Sequence, residues 1–166
     1  MAQVAEVGRV DAHQLGYNLL WRFPERDLIP YCIANQIAVV TYSSIAHGIL
    51  AGRFARQLEL APGDQRHDIL LFRQDVWPGV FEDVEQFKWV AQESGIHLIH
   101  LAIRWLLHQP GVTTVLVGAR DAAQAAFNAQ ALQGEIPARV FDELGAIGDR
   151  VMKDVPDEGN PFGHHP

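Results

Sequence analysis

A short apolar run, Val115-Leu116-Val117, passes through Gly118-Ala119-Arg120 into an alanine-rich stretch that ends near Asn128. A strand that feeds a helix through glycine leaves backbone N–H groups unpaired at the helix start, and those groups with the local dipole favour an anion such as a phosphate. Arg120 adds a planar fork of donors for the same charge. A plain structural helix entry has the same local sequence, so these three residues by themselves name no ligand. The only lysines are Lys88 and Lys153. A tyrosine needs a nearby cation to give up its proton at neutral pH. Lys88 is expected mid-helix and Lys153 in the tail, so neither is expected beside Tyr17, Tyr31 or Tyr42, and no catalytic residue is assigned. His97 and His100 share a helix face, but no third ligand at suitable spacing supports a metal.

The elements that must position these residues follow from periodicity. Ala2 to Val7 is expected to be the tail of a helix stopped at Gly8, and Arg9 to Gln14 a strand. Helical spacing covers Glu25 to Asn35, and the β-branched run Ile37 to Tyr42 has the form of a strand buried on both faces. A glycine-dotted loop, Ser43 to Gly52, leads to a turn at Pro62-Gly63-Asp64, and Trp77-Pro78 is expected in a connection. Helices are expected over Val80 to Glu93 and His97 to Gln109, a third strand over Thr113 to Val117, and helices over Asp121 to Leu132 and Pro137 to Val151, before an irregular tail holding His164 and His165. The alternation is that of βα units on a parallel sheet, an α/β fold. No low-complexity linker divides the chain, so residues 1–166 are expected to form a single domain.

Composition bounds the partners. The 166 residues are 48% apolar and 20% charged, which is globular, and the net charge is −7. Scattered basic residues in an acidic chain exclude nucleic acid and an anionic membrane as main partners, while a small anion at a local basic spot remains allowed. One cysteine, Cys32, makes no internal disulfide, and no apolar run reaches the roughly 20 residues of a membrane span, so a cytoplasmic location is expected.

Four stretches carry a resemblance in a fixed order: Gln14 with Tyr17-Asn18-Leu19-Leu20-Trp21-Arg22, then TYSSIAHGILAGR, then LAIRWLLHQPGVTTVLVGA, then RDAAQAAFN. Together they resemble the C-terminal half of an aldo-keto reductase, over about Arg9 to Leu144. The resemblance implies a partial TIM barrel, here three parallel strands alternating with helices, that holds NADPH in an extended shape across the C-terminal face. By that likeness Gln14 meets the nicotinamide carboxamide and Tyr42 stacks on the nicotinamide. Ser43, Ser44 and Ile45 touch ribose and pyrophosphate, with Gly48 and Arg53 beside the phosphates. Gly118 and Arg120 match the site of the adenosine 2′-phosphate, and Gln124 with Asn128 the pair that reads adenine. Three departures stand out: Ser44 replaces the family's proline, Arg53 its lysine, and Phe127 the acidic residue often found before Asn128.

The resemblance further implies hydride transfer from the nicotinamide to a carbonyl carbon, with a tyrosine, lysine, aspartate and histidine on strands of the barrel's first half. The chain is expected to begin after them, and so to bind NADP(H) without catalysing the reaction alone; a carbonyl substrate would require an N-terminal half. Three strands would leave two open sheet edges and an open apolar face, with Val39 and Val115 as members, through which the chain could self-associate. A non-enzymatic nucleotide-binding or regulatory module, built as a self-associated half-barrel, is the second reading. A phosphate-binding isomerase sharing only Gly118-Ala119-Arg120 is the third.

Overall fold

The computed structural model describes residues 2–159, so His164 and His165 lie outside the described residues. Three parallel strands form one sheet in the order β1 (Ala12–Gly16), β2 (Ala38–Tyr42), β3 (Val112–Val115). Six α-helices accompany them: α1 (Ala2–Val7), α2 (Leu28–Ala34), α3 (Trp77–Ser94), α4 (Leu98–His108), α5 (Ala122–Ala129) and α6 (Ala138–Asp154). Short 3-10 turns fill the longer connections. The sheet is not closed, and β1 and β3 are its edges. This is the α/β, partial-barrel arrangement expected from the sequence.

Register decides which side chains share a face. Gln14 lies opposite Val40, Leu15 opposite Thr41, and Gly16 opposite Tyr42. In a parallel pair, opposed residues point the same way and alternate along the strand. One face therefore carries Leu15, Val39 and Thr41, all buried; α2 packs on β2 and α4 on β3. The other carries Gln14, Val40, Tyr42 and, from β3, Thr114, which are exposed or half-buried. The expectation of an open apolar face holding Val39 and Val115 is thus corrected. Val39 is fully buried against the helices, and a register shift between Val39 and Val40 turns Val115 to that same side, packed on the core. The open face is mixed in character, with a glutamine, a tyrosine and a threonine among its residues.

Other boundaries move for physical reasons. The first strand begins three residues later than expected and runs to Gly16, because Leu15, 6% exposed, is drawn into the core and extends the pairing with β2. Trp77 does not lie in a connection but opens α3. Pro78 occupies the first turn, where its missing N–H is no loss, and the indole is buried with its Nε1–H donating to the Arg56 carbonyl at 3.0 Å. Lys153 lies in the last turn of α6 rather than in a tail.

The YNLLWR segment after β1 has a structural task. Asn18, 2% exposed, pairs its backbone with Trp21, accepts the Leu20 N–H on Oδ1 at 2.9 Å, and donates from Nδ2 to the Ser43 carbonyl at 3.0 Å. Arg22 clasps Glu25 through two nitrogens, donates to the Gly145 carbonyl and to Asp149, and lies over the Trp105 ring. Glu25 also accepts the Tyr17 hydroxyl at 2.5 Å; burial, then this bond, pushes the Tyr17 pKa far above its ordinary value. Tyr17 is therefore a neutral core residue at any working pH. The network anchors the turn after β1 to α6, and through Asn18 it holds the end of β2.

Candidate functional site

β2 leaves the sheet at Tyr42 and enters a run of left-handed backbone: Ser43, Ala46 and His47 have φ of 53°, 48° and 53°, and Gly48 has φ 93°. Non-glycine residues in this region are strained, by about 1–3 kcal/mol each, and such strain persists where surrounding bonds over-determine it. Here Ser43 is fixed by Asn18 through its carbonyl and by His47 Nε2 through its hydroxyl at 3.0 Å. Ser44 turns inward. Only 2% exposed, it donates its hydroxyl to the Leu116 carbonyl at 2.7 Å and lies 3.3 Å from Thr41 Oγ1, tying the end of β2 to the end of β3. The hydroxyl of Ser44 therefore points into the protein, whereas Ile45 and Gly48 line the site.

That site is a cleft of about 1320 Å³. One wall is the β2 loop, with Ile45, His47 and Gly48; the second is the segment from Arg53 to Ile69; the third is the start of α4, the β3–α5 connection with Gly118 and Arg120, and α5 with Gln124, Phe127 and Asn128. Of the eleven residues expected to bind cofactor, Ile45, Gly48, Arg53, Gly118, Arg120, Gln124 and Asn128 share this cleft. Gln14, Tyr42, Ser43 and Ser44 do not line it. Gln14 lies in mid-strand rather than at the strand end, and Gly16 takes the place beside Tyr42; a Cβ built on Gly16 would touch the Tyr42 ring at 3.4 Å. Tyr42 and Gln14 thus share the open sheet face, about 7 Å apart along the strand direction by strand rise.

The electrostatics of the cleft run against the chain's net charge of −7. Arg53 and Arg120 line it without an acidic partner among the described residues, whereas Arg22, Arg26, Arg56, Arg66 and Arg73 are each ion-paired. Arg66 is clasped by Asp64, and its guanidinium lies over Phe54 and Phe72. The hydrogen bonds from Arg66 hold the Asp64 carboxyl down at about 2. His47 and His97 both have pKa values below the ordinary histidine range, from burial first and then from neighbouring cations, so both are neutral at pH 7.

At the α5 end the backbone amides are less available than the sequence suggests. Asp121 caps the helix by accepting the Gln124 N–H at 2.8 Å, and Gln124 Oε1 accepts the Arg120 N–H at 3.1 Å. The Arg120 guanidinium lines the cleft beside them. Asn128 donates to the Gly118 carbonyl at 3.3 Å, which ties the glycine turn to α5 one helical turn beyond Gln124. Among the described residues no group of three potential ligands is placed to hold a metal ion.

Sequence reasoning passed over the wall from Phe54 to Ile69, where no periodicity marks a role. It weighed His97 only as a metal ligand and Phe127 only as a departure, and gave neither a place in the cleft. His97 caps α4, its Nδ1 accepting the Ile99 N–H at 3.2 Å, a role for which histidine is not one of the residue types that mark helix starts in sequence.

A model of the aldo/keto reductase family matches residues 1–149. The chain belongs to that family. The aldo-keto reductase YhdN of Bacillus subtilis is 33% identical over 109 residues, covering 65% of this chain and 33% of that protein. The NADH-specific methylglyoxal reductase of Escherichia coli is 30% identical over 127 residues, 76% of this chain and 38% of that protein. A probable voltage-gated potassium channel subunit beta of Oryza sativa is 30% identical over 139 residues, 79% of this chain and 42% of that protein. The fold superposes on the glycerol dehydrogenase AKR11B4 of Gluconobacter oxydans with a TM-score of 0.76 at 24% identity, covering 95% of this chain and 47% of that one. The chain therefore spans less than half the length of these aldo-keto reductase relatives. Proteins of this family use a nicotinamide cofactor and carbonyl substrates. No helix among the described residues is long and apolar enough to cross a membrane.

Proposed function

We propose that this chain is the NADP(H)-binding half of an aldo-keto reductase, which reduces aldehydes or ketones to alcohols when its barrel is complete and does not catalyse the reaction alone. The observation that carries this reading is the pair of guanidiniums, Arg53 and Arg120, that line one cleft with no acidic partner among the described residues. Two unpaired cations in a chain of net charge −7 suit a ligand with more than one anionic group. Arg120 is the residue assigned to the 2′-phosphate, and Arg53 to the phosphates beside it. Tyr42 and Gln14, on the open sheet face, are assigned to the nicotinamide end.

The bound cofactor would supply a hydride to the carbonyl carbon. This chain's own part is to fix the dinucleotide: Asn18 and His47 hold Ser43, Gly16 leaves room for the Tyr42 ring, and Ser44 joins the β2 and β3 loops. A second reading, a nucleotide-binding regulatory module, has in its favour the likeness to the rice channel subunit, whose name describes no reductase.

Titration of the chain with NADPH and with NADH, followed by tryptophan fluorescence, tests the first reading. NADPH is expected to bind more tightly, and Arg120→Ala to cost on the order of 10-fold for NADPH while leaving NADH nearly unchanged. Equal affinity for both, or the NADH preference named in the E. coli relative, refutes the assignment of Arg120.

A further inference from the structure

At the α5 end of the cleft one aromatic ring, Phe127, stands beside the amides of Gln124 and Asn128. It is half-buried, and two histidine rings brace it. His97 meets it edge-on, with centroids 4.9 Å apart and planes at 87°, and His100 lies 4.3 Å away at 34°. His100 also donates from Nε2 to the Phe127 carbonyl at 2.7 Å, so ring and backbone are held together. From below, Phe127 packs on the Ile99, Ile103 and Ala131 cluster. A ring fixed in this way is a rigid apolar surface that borders a cleft otherwise rich in charge.

Each of the two amides nearby has one atom bonded within the chain. Gln124 uses Oε1 on the Arg120 N–H, and Asn128 uses Nδ2 on the Gly118 carbonyl. The carboxylates that line the cleft, Asp64 and Asp68, belong to the opposite wall and not to α5. A ligand moiety at this end meets a braced aromatic ring next to the guanidinium of Arg120, with Gln124 Nε2 and Asn128 Oδ1 as the remaining amide atoms. Such surroundings suit a flat heteroaromatic ring joined to a phosphate-bearing sugar, recognised by its π-face rather than by its edge.

We propose that Phe127, braced by His97 and His100, is the platform on which the purine of the dinucleotide stacks, and that this chain selects the base by stacking and so tolerates changes at the base's hydrogen-bonding edge. This rests on the dinucleotide reading above and adds to it a specificity-determining residue. Exchange of the adenine amino group for the hypoxanthine oxygen should matter little, whereas loss of the ring at position 127 should matter much.

The test is calorimetric titration of the full chain with NADPH, NADH and nicotinamide hypoxanthine dinucleotide phosphate, repeated on Phe127→Leu and Phe127→Trp. Stacking contributions of the usual size correspond to about 5- to 150-fold in affinity. Phe127→Leu, which keeps the burial on Ile99 and Ile103, is therefore expected to weaken all three by at least about 5-fold and leave the ratio of NADPH to NADH unchanged. Phe127→Trp is expected to bind each as well as the parent or better. On the unaltered chain the adenine and hypoxanthine forms should agree within about threefold. Unchanged binding in Phe127→Leu, a loss in Phe127→Trp as large as in the leucine variant, or strong rejection of the hypoxanthine form overturns the proposal while leaving the dinucleotide reading standing. Failure of the unaltered chain to bind any of the three overturns both.

Discussion

Asp83, on α3, is 7% exposed and faces α6. Burial first, then the Asp154 carboxylate, pushes its pKa up from 3.8 to about 6, against the pull of Arg150. The native state therefore keeps a proton that the unfolded chain has already released between these two values. With more protons bound in the native state, stability falls as pH rises through that window. A shift of about two units corresponds to about 3 kcal/mol, an upper figure because side chains at the helix seam can relax toward water. Asp83→Asn removes the ionisation and keeps the shape. It should be more stable than the parent at pH 8 by about 2–3 kcal/mol, or roughly 4–12 °C in Tm for a chain of this size. At pH 4, where the parent's carboxyl is also neutral, the difference should shrink toward zero. Urea unfolding of both proteins at pH 4, 5, 6 and 8 measures this directly. If the asparagine variant is no more stable at pH 8 than at pH 4 relative to the parent, then Asp83 is ionised without cost and the burial argument is wrong.

Three further expectations concern the frame of the cleft. Ser44→Ala leaves the Leu116 carbonyl without its 2.7 Å donor in a part-buried setting and should cost about 0.5–1.5 kcal/mol in chemical unfolding. Gly111→Ala places a Cβ 2.7 Å from Ile33 at φ +86°, so it should lower stability by at least about 1 kcal/mol, and a paired Ile33→Ala should recover only the steric part. Asn18→Ala removes the bonds to Leu20 and Ser43 and should both destabilise by about 2 kcal/mol and weaken dinucleotide binding through the loosened Ser43, measured side by side by thermal melting and fluorescence titration.

The sheet was legible in the sequence because Ile37 to Tyr42 is β-branched almost throughout, and such a run has few alternatives to a buried strand. The parity of its side chains was not legible. Whether Val39 or Val40 faces the helices depends on which side α2 and α4 settle, and a register shift after Val39 sets the facing of β3 independently. Trp77-Pro78-Gly79 has the composition of a turn, yet the same proline suits a helix's first turn, and the burial of the Trp77 indole decides between them. Seven of the eleven residues that ordered motifs pointed to line the cleft where the β2 and β3 loops converge, whereas Gln14, Tyr42, Ser43 and Ser44 do not. Arg66 and Phe54 were missed because an irregular segment has no period. Phe127 stood out in sequence only as a departure; its bracing by two histidines is a tertiary fact.

The two ends of the proposed cofactor site differ in what supports them. Arg53, Arg120 and Phe127 line a walled cleft whose sides are all supplied by this chain, cross-tied through Ser44 to Leu116 and Asn128 to Gly118. Gln14 and Tyr42 lie instead on the open face of an unclosed sheet, where Gly16 sits against the Tyr42 ring. Affinity for the phosphate-bearing end can therefore be complete in this chain, while the orientation of the nicotinamide depends on whatever covers that face. On this reading, adenosine 2′,5′-bisphosphate should capture most of the affinity of NADPH for the isolated chain, and nicotinamide mononucleotide almost none. Comparable binding of the mononucleotide would mean that the open face is already organised, and that binding and orientation are not divided between the two ends in this way.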